Sequence, residues 1–221
     1  MMESVKKLLR PLYLPVSNAY HLKFKSAKRY HHLFNEIEKN KATTILEVGT
    51  WNGNRALEMI KKAQENSDSD ISYVGFDLFE GLTEEMYISE LSKRPPSMEE
   101  VKEKLEKTGA KISLLKGNTL ETLPVFVNSG QKFDFIFIDG GHDVNTVQND
   151  WDCVSKLMHK NTVVIFDDYW KNRPKDSAKP VVDKIDRSLY EVEILPEVDV
   201  FDNPDFGRLE ISFAKVKLKK I

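Results

Sequence analysis

The sequence has almost no cysteine, no long apolar run and no excess of charge of one sign. Cys153 is the one cysteine among 221 residues, which excludes an intrachain disulfide and fits a reducing compartment. No run approaches the roughly 18 apolar residues of a membrane span, and the start of the chain lacks the long apolar region of a signal peptide. A formal net charge of −2 provides no global polycation for nucleic acid. We therefore expect a cytoplasmic protein without a membrane span and without a nucleic-acid partner.

The start of the chain is basic and predicts a helical extension ahead of the main domain. Residues 1–34 carry seven Lys and Arg residues but one Glu, interleaved with Leu, Tyr and Phe. We expect residues 1–40 to pack on the single domain at 41–221 or on a second subunit, which would make a homo-oligomer. A role at a membrane surface or on an anionic substrate is the alternative. His31 and His32 indicate surface or packing positions, because neighbouring residues on a helix do not face one ligand together.

Apolar runs alternate with amphipathic segments along most of the chain. This rhythm predicts an α/β fold with a doubly wound, mostly parallel sheet of seven strands. Strands are predicted at 43–48, 71–77, 111–115, 133–138, 162–166, 190–195 and 209–216. Helices are predicted at 30–40, 54–65, 97–108 and 144–159, with a short helical or irregular connection at 119–129. The last two strands alternate polar and apolar residues, which indicates an antiparallel hairpin at the sheet edge, joined by an acidic connection.

Two apolar runs end abruptly in acidic residues, and this is the most informative feature of the sequence. The fourth predicted strand ends in Asp139, two glycines and His142, and the fifth ends in Asp167 and Asp168. Such runs are typical of buried parallel strands, whose carboxyl ends carry the chemistry in open α/β sheets. Three carboxylates at adjacent strand ends repel each other and suit a hard cation such as Mg²⁺. Asp143 is better interpreted as the N-cap of the following helix.

A glycine-containing turn follows the first predicted strand. Glu47 stands near the end of the strand, Gly49 and Gly53 follow it, and a helix begins directly afterwards. Glycines let the backbone turn tightly and approach a ligand, so this layout is typical of a nucleotide-type cofactor loop. Trp51 stands where the dinucleotide fingerprint needs its middle glycine, which argues against that motif, and a plain strand-to-helix turn is the alternative. Asp77 ends the second strand, where an acid can accept both hydroxyls of a ribose.

Taken together, these motifs resemble those of the class I S-adenosylmethionine-dependent methyltransferases, which have a Rossmann-like sheet. The pattern Glu47-x-Gly49-x-x-x-Gly53 is similar to their first motif, and Asp77 to their ribose acid. Asn118 follows the third strand, where those enzymes contact adenine. The resemblance covers about residues 40–216. The cofactor-binding residues that it implies are Glu47, Gly49, Thr50, Trp51, Gly53, Asp77, Leu78, Asn118, Thr119 and Asp139.

Within that class, the segments around Asp77 and Asp139 look most like the O-methyltransferases related to the macrocin and mycinamicin sugar enzymes. Those enzymes are metal-dependent, and the resemblance implies Asp139, Asp167 and Asp168 as metal ligands. Some have a histidine three residues after the first ligand as general base, which implies His142, together with Asp139, as the catalytic pair. A metal ion that holds the acceptor hydroxyl lowers its pKa, and a histidine can then take the proton near neutral pH.

We therefore expect an S-adenosylmethionine-dependent O-methyltransferase, assisted by Mg²⁺, that acts on a small hydroxylated molecule such as a sugar or a natural product. One alternative is a non-catalytic nucleotide-binding or scaffold protein on the same fold, because fold does not dictate function. The other is a methyltransferase with an RNA or protein acceptor, carried by the basic start of the chain.

Two loops on the predicted catalytic side are expected to set specificity. They span 82–100 and 170–180, and long loops in such places are often lids. The chain departs from the enzymes that it resembles in its short N-terminal region and in this second loop, so their substrates do not transfer to it. Four basic residues in it indicate an anionic acceptor, with a solvated loop as the alternative: Lys171, Arg173, Lys175 and Lys179.

Overall fold

Eight strands form one sheet within the residues that the computed structural model describes, namely 27–84, 94–203 and 207–220. The strands are β1 (Thr44–Val48), β2 (Ser72–Asp77), β3 (Lys111–Lys116), β4 (Phe133–Ile138), β5 (Met158–Trp170), β6 (Tyr190–Ile194), β7 (Asp199–Asn203) and β8 (Gly207–Leu218). Their order is β3-β2-β1-β4-β5-β8-β6, and β7 pairs with β8. Strands β1 to β5 run parallel, whereas β8 is antiparallel to β5, β6 and β7. The predicted α/β class with a mostly parallel sheet is confirmed.

Helices cover both faces of this sheet. In the described ranges they are α1 (His31–Asn40), α2 (Asn54–Glu65), α3 (Met98–Glu106), α4 (Thr119–Val127), α5 (Val144–Val154) and α6 (Lys179–Lys184). Helices α1 to α3 contribute to one core cluster, and α4 to α6 contribute to the other. Strand side chains alternate between the two clusters, as a period of two requires, so that Ile45 packs in the first and Leu46 in the second. The sheet is therefore doubly wound.

The order of the strands reverses between β1 and β4. From β1 the chain builds outward through β2 to β3, and then returns to place β4 and β5 on the other side. In such sheets, ligands bind outside the carboxyl ends of the strands at the point of reversal. The backbone ties the two ends together there, because the N–H of Asp139 donates to the carbonyl of Val48 at 2.8 Å. The fold thus brings the turns after β1 and β4 into one crevice.

The sheet has one strand more than the seven predicted, so that count was wrong. The additional strand, β7, lies in the segment that the sequence analysis described only as an acidic connection. It was not predicted as a strand because Asp and Asn are depleted in strands. It pairs with β8 in a register from Asp199 opposite Ile211 to Asn203 opposite Gly207. The predicted partners β6 and β8 do pair antiparallel, with β6 at the edge and β8 between β5 and β6.

Two predicted boundaries after β4 also differ from the structure. Helix α5 ends at Val154, and β5 begins at Met158, so the residues up to 159 are not all helical. Helix α6 overlaps the end of the predicted loop at 170–180. Pro180 near its first position favours a helix start, but six residues are too few for a recognisable helical period.

Helix α1 is built into the core. Leu33 and Ile37, one turn apart, are fully buried against the face that α2 and α3 also cover. Residues 1–26 lie outside the described residues, so the structure covers only the end of the predicted extension. The boundary at residue 40 and the homo-oligomer stay predictions. No helix in the described ranges is long and apolar enough to cross a membrane.

Gly49 makes the close approach between the ends of β1 and β4 possible. Its φ is +93°, a conformation that side chains disfavour, and its N–H donates to the carbonyl of Phe76 at 2.8 Å. A Cβ atom at this position would collide with the carbonyl oxygen of Asp139. Any larger residue would therefore have to push the turn after β1 away from β4.

We expect Gly49→Ala to lower the free energy of unfolding by about 2 to 5 kcal/mol, the sum of an unfavourable φ and an overpacked contact. Gly130→Ala is the matched control, because Gly130 also has a positive φ of +69° but nothing lies near its missing Cβ. The control should lose only about 1 to 2 kcal/mol. Urea unfolding measures both, and equal losses would contradict a role for the close approach.

Candidate active site

Four acids lie at the carboxyl edge of the sheet on one face. The four are Glu47, Asp77, Asp139 and Asp167. Each follows, by an even number of positions, a residue of its own strand that packs in the core cluster under α1 to α3. Because alternate side chains of a strand share a face, the four carboxylates emerge on the same side. Strand alternation therefore collects acids that are far apart in the sequence.

Asp168 joins this group although it directly follows Asp167. In a regular strand the two side chains would point to opposite faces. The pairing of β5 with β8 shifts register between Phe166 and Tyr169, and Asp168 has a φ of +53°. Such a bulge re-aims a side chain. As a result, Asp139, Asp167 and Asp168 each offer an oxygen, and these atoms lie within 4.8 Å of one another.

Arg29 neutralises the most buried of the three carboxylates. Its Nε and Nη2 donate to Oδ1 and Oδ2 of Asp167 at 2.8 and 2.9 Å, and the two side chains are only 5% and 1% exposed. The hydroxyl of Tyr30 donates to Oδ2 at 2.9 Å, and the N–H of Asp168 donates to Oδ1 at 2.6 Å. Four donors thus occupy the roughly four acceptor positions of the Asp167 carboxylate.

Asp139 is left without such compensation. No hydrogen bond to its carboxylate is found in the described part of the chain. Burial, followed by the negative charges of Asp167 and Asp168, raises the pKa of Asp139 well above its ordinary value, although Arg29 opposes the shift. A cavity of about 10 Å³, roughly the size of one water molecule, is lined by all three acids. The cluster therefore has both the charge and the room for one more cation.

His142 lies against Asp168 on the other side of the cluster. Its Nε2 is 2.8 Å from Oδ2 of Asp168, and its ring stacks on Trp170 with the ring centroids 5.4 Å apart. The indole N–H of Trp170 donates to Oδ1 of Asp168 at 3.0 Å. Burial alone would raise the pKa of Asp168, but the charge and hydrogen bond of His142, with Arg29, lower it overall. An ionised Asp168 favours a proton on Nε2, which makes Nδ1 the nitrogen that can accept another.

Glu47 is buried in a small network of hydroxyl groups. Tyr73 donates its hydroxyl to Oε2 of Glu47, and Thr50 Oγ1 lies 3.0 Å from the Tyr73 oxygen. Gly75, opposite Glu47 on β2, leaves room for this network, because a Cβ there would collide with Thr50 and Tyr73. Burial raises the pKa of Glu47 from 4.5 to about 8, against the effect of the Tyr73 hydrogen bond. Its Oε1 is buried and has no hydrogen-bond partner among the described residues.

Asp77 fastens the turn after β1 to the end of β2. Trp51, with a φ of +46°, donates its backbone N–H to Oδ2 of Asp77 at 2.6 Å, and Phe79 donates to Oδ1 at 2.9 Å. Each oxygen keeps a further lone pair that a ribose hydroxyl can use. Burial raises the pKa of Asp77 in spite of these bonds. Leu78 begins the next turn, and Gly53 caps α2 with a φ of +68°.

Asn118 and Thr119 lie where α4 begins. The side-chain oxygen of Asn118 accepts the N–H of Leu120 at 3.0 Å and so caps the helix. Since the cap uses the oxygen, the amide nitrogen is the donor that Asn118 can offer to a base. The contact of these two residues with adenine stays a prediction. Asp143 caps α5 in the same manner, as predicted.

Two of the four basic side chains in the loop after β5 are paired with acids. Lys179 donates to the hydroxyl of Tyr169 at 2.7 Å and to Asp183 at 2.8 Å. Arg173 donates to Asp176 at 2.6 Å. Among the described residues no ion pair involves the exposed Lys171 or Lys175, so these two side chains, rather than all four, are available to an anionic acceptor. The other loop, at 82–100, lies partly outside the described residues.

The sequence did not indicate Arg29 and Tyr30 as site residues. They belong to a basic segment without a motif, and 138 positions separate Arg29 from Asp167. The available signal was the acidic cluster itself, since closely spaced buried carboxylates require a cation to compensate them. The spacing of the basic residues does not indicate which of them supplies this cation.

The fold and the site define a class of protein. The sheet is doubly wound, and a glycine turn after β1 packs closely against the backbone after β4. An acid ends β2, and acids with a histidine follow β4 and β5. This is the organisation of a class I, Rossmann-like methyltransferase. A family model described as a methyltransferase domain matches residues 46–169, which is more than half of the chain. The chain therefore belongs to this methyltransferase family.

Solved structures support the fold. O-methyltransferase TomG from Streptomyces achromogenes, involved in tomaymycin synthesis and solved in complex with SAM, is 16% identical with a TM-score of 0.60, over 98% of this chain and 96% of TomG. An O-methyltransferase from Bacillus cereus, in complex with SAH, is 17% identical with a TM-score of 0.56, over 98% and 100% of the two chains. At such identities the likeness concerns the fold alone.

A curated relative matches only a short part of the chain. The uncharacterized protein R132 of Acanthamoeba polyphaga mimivirus is 36% identical over 66 residues. This match covers 30% of the present chain and 27% of R132, so the chain spans about a quarter of that relative. It therefore contributes nothing to the assignment of an acceptor.

Removing Arg29 should strongly destabilise the protein, because it leaves a buried carboxylate unpaired beside two others. We expect Arg29→Met to lower the free energy of unfolding by about 3 to 5 kcal/mol. Asp167→Asn in the same chain should recover much of this loss, and the coupling is measured by a double-mutant cycle in urea. Lys102→Met is the control, since the pair of Lys102 with Glu106 is exposed and should contribute about 0.5 kcal/mol or less. Additive effects of the first two changes would contradict the pairing.

Proposed function

We propose that the protein is an S-adenosylmethionine-dependent O-methyltransferase that acts on a small hydroxylated molecule. The observation that carries this proposal is the contact of His142 with Asp168 beside Asp139, at the carboxyl ends of β4 and β5. A hydroxyl group, unlike a neutral amine, must lose a proton as it attacks a methyl group. A histidine held by a carboxylate is a suitable acceptor for that proton near neutral pH.

The cofactor fits the residues at the end of β1 and β2. Glu47 Oε1 is a buried acceptor without a partner in the described part of the chain, which suits the ammonium group of the methionine moiety. Asp77, held by two backbone N–H groups, suits the ribose hydroxyls. Asn118 and Thr119 are the proposed adenine contacts. Bound S-adenosylmethionine would supply a sulfonium methyl group for transfer to a nucleophilic oxygen.

His142 has the proposed role of general base. With Nε2–H directed to Asp168, its Nδ1 would take the proton of the acceptor hydroxyl as the new carbon–oxygen bond forms and the carbon–sulfur bond breaks. Asp168 fixes the tautomer and stabilises the imidazolium that results. Trp170, stacked on the imidazole ring, limits its rotation. Because the site positions two bound molecules, orientation can contribute on the order of 7 to 11 kcal/mol to lowering the barrier.

Mg²⁺ fits the acidic cluster in part. Asp139 and Asp168 keep acceptor positions, and oxygen ligands suit a hard cation. Asp167, the third predicted ligand, is saturated by Arg29 and Tyr30, so it would join the ligand set only after Arg29 releases it. A bound Mg²⁺ would lower the pKa of a coordinated acceptor hydroxyl. We therefore propose Asp139 and Asp168 as its primary ligands.

Cofactor binding should release protons near neutral pH. With a folded pKa of about 8, Glu47 is mostly protonated at pH 7, and a cation at Oε1 would favour its ionised form. Titration calorimetry at pH 7 in two buffers of different ionisation enthalpy should therefore show release approaching about one proton per cofactor. The release should fade above about pH 8.5, where Glu47 is already ionised in the free protein.

Glu47→Gln should abolish this proton release and weaken binding, because the amide cannot ionise. Glu65→Gln on the exposed side of α2 is the control and should leave both quantities unchanged. Proton release that persists in Glu47→Gln would remove Glu47 from the cofactor site. Absence of any cofactor binding by the unmodified protein would remove the proposed function.

His142→Ala should lower kcat for methyl transfer by about 10² to 10⁴, the usual contribution of a general base. Formation of S-adenosylhomocysteine is followed with a panel of phenolic and sugar hydroxyl acceptors. Cofactor affinity and thermal stability should change little, since the imidazole is partly exposed.

His159→Ala is the matched control, because His159 pairs with Asp134 at the opposite end of the sheet. Treatment with a chelator tests the role of the metal ion separately from that of His142. Activity that falls on chelation and returns with Mg²⁺ supports the metal, whereas unchanged activity removes it and leaves the base. A full rate in His142→Ala, or no transfer to any hydroxylated acceptor, would contradict the proposal.

A further inference from the structure

A second group of metal-binding side chains lies away from the acidic cluster. His31 and His32 begin α1, and Glu197 lies in the connection between β6 and β7. Each offers one ligand atom, and the three atoms lie within 4.8 Å of one another. The predicted surface or packing positions of the two histidines agree with their exposed and partly buried side chains, but the expectation that neighbouring helix residues do not face one partner together was wrong. Both rings face Glu197 because they occupy the first turn of α1, where the chain enters from a 3₁₀ turn.

The orientations of the two histidine rings suit a metal ion. His31 Nδ1–H donates to the carbonyl of Lys28, which leaves Nε2 as the nitrogen that faces Glu197 at 3.8 Å. A hydrogen bond from the far ring nitrogen to a backbone carbonyl is the usual support of a metal-bound histidine. His32 directs Nε2 at the other oxygen of Glu197. Both Nε2 atoms therefore lie on the same carboxylate.

The surroundings hold Glu197 in place. Its backbone carbonyl accepts a hydrogen bond from Ser212 Oγ on β8 at 2.9 Å. The ring centroids of His31 and His32 are 4.0 Å apart, so the two imidazoles are close enough to bind one ion together. A single divalent cation can accept both imidazole nitrogens and one carboxylate oxygen, because the three atoms lie within 4.8 Å of one another. The group is partly exposed, so an ion can enter from solvent.

The donor set selects the kind of ion. Two imidazole nitrogens and one carboxylate oxygen suit Zn²⁺ and its neighbours, which accept four ligands with water as the last. Mg²⁺ prefers oxygen ligands and is disfavoured by imidazole. We propose that His31, His32 and Glu197 form a structural site for a divalent transition-metal ion such as Zn²⁺, distinct from the acidic cluster at β4 and β5. This inference does not depend on the proposed methyl transfer.

Such an ion would fix the position of Arg29. The backbone N–H groups of Lys28 and Arg29 donate to Asp199, two residues beyond Glu197, at 3.0 and 3.1 Å. The same carboxylate accepts from Arg29 Nη1 at 3.1 Å. A metal ion at His31, His32 and Glu197 would therefore close a second link between the same two segments, 165 positions apart. It would stabilise the arrangement that directs Arg29 to Asp167.

The test uses the full chain without a histidine tag. Titration calorimetry should show one Zn²⁺ per chain, and Zn²⁺ should raise the melting temperature because it binds the folded state. Co²⁺ should give the visible absorption of a four-coordinate nitrogen and oxygen site. An excess of Mg²⁺ should not displace either ion.

Two variants locate the site, and two others serve as controls. His32→Ala and Glu197→Gln should each weaken Zn²⁺ binding, because each removes a ligand. The loss of affinity should exceed the about 10- to 100-fold that is typical when only a residue supporting a ligand is removed. His159→Ala, which removes a histidine elsewhere, should bind Zn²⁺ as the unmodified protein does. Asp139→Asn should also retain it, which separates this site from the acidic cluster. Lack of Zn²⁺ binding by the unmodified protein, or binding that survives both His32→Ala and Glu197→Gln, would overturn the proposal.

Discussion

The structure depends on how one sheet edge accommodates several buried carboxylates. Strand alternation and a bulge bring Asp139, Asp167 and Asp168 within 4.8 Å of one another, where three negative charges would repel strongly. The bidentate pair of Arg29 with Asp167 compensates one of these charges, and Nε2 of His142 lies at hydrogen-bond distance from a second carboxylate, that of Asp168. The site that remains is acidic enough to attract a cation, yet compensated enough to be compatible with a folded sheet.

This compensation explains why the chain needs elements beyond the parallel sheet. Arg29 reaches Asp167 from the start of α1, and Asp199 on β7 holds the other side of the guanidinium. The strand that the sequence did not reveal therefore has an identifiable task, which is to orient the arginine. Tyr30 completes the arrangement, with its ring against Phe213 and its hydroxyl on Asp167. The segment ahead of β1 is thus part of the site rather than an appendage to it.

The parts of this arrangement that could be predicted are those with a local signature. Continuous apolar runs indicated β1, β4 and β5, and their terminal acids indicated Glu47, Asp139 and Asp167 as neighbours at one edge. The bulge at Asp168, the short helix α6 and the polar strand β7 have no periodic pattern long enough to recognise. Arg29 was missed for a different reason, because its partner is distant in sequence and any of several basic residues could have served.

The acids at this edge of the sheet have different hydrogen-bond partners and different pKa shifts, and these differences are relevant to function. Glu47 is buried with a pKa of about 8, so at neutral pH it stays mostly uncharged until a cation reaches Oε1. Asp167 is paired with a resident arginine, and Asp168 with the histidine that it orients. Asp139 alone lacks a protein donor in the described ranges and faces the other two. The Mg²⁺ that we propose at Asp139 and Asp168 would therefore bind without disturbing Arg29, so the charge that holds the fold is separate from the carboxylates proposed as metal ligands.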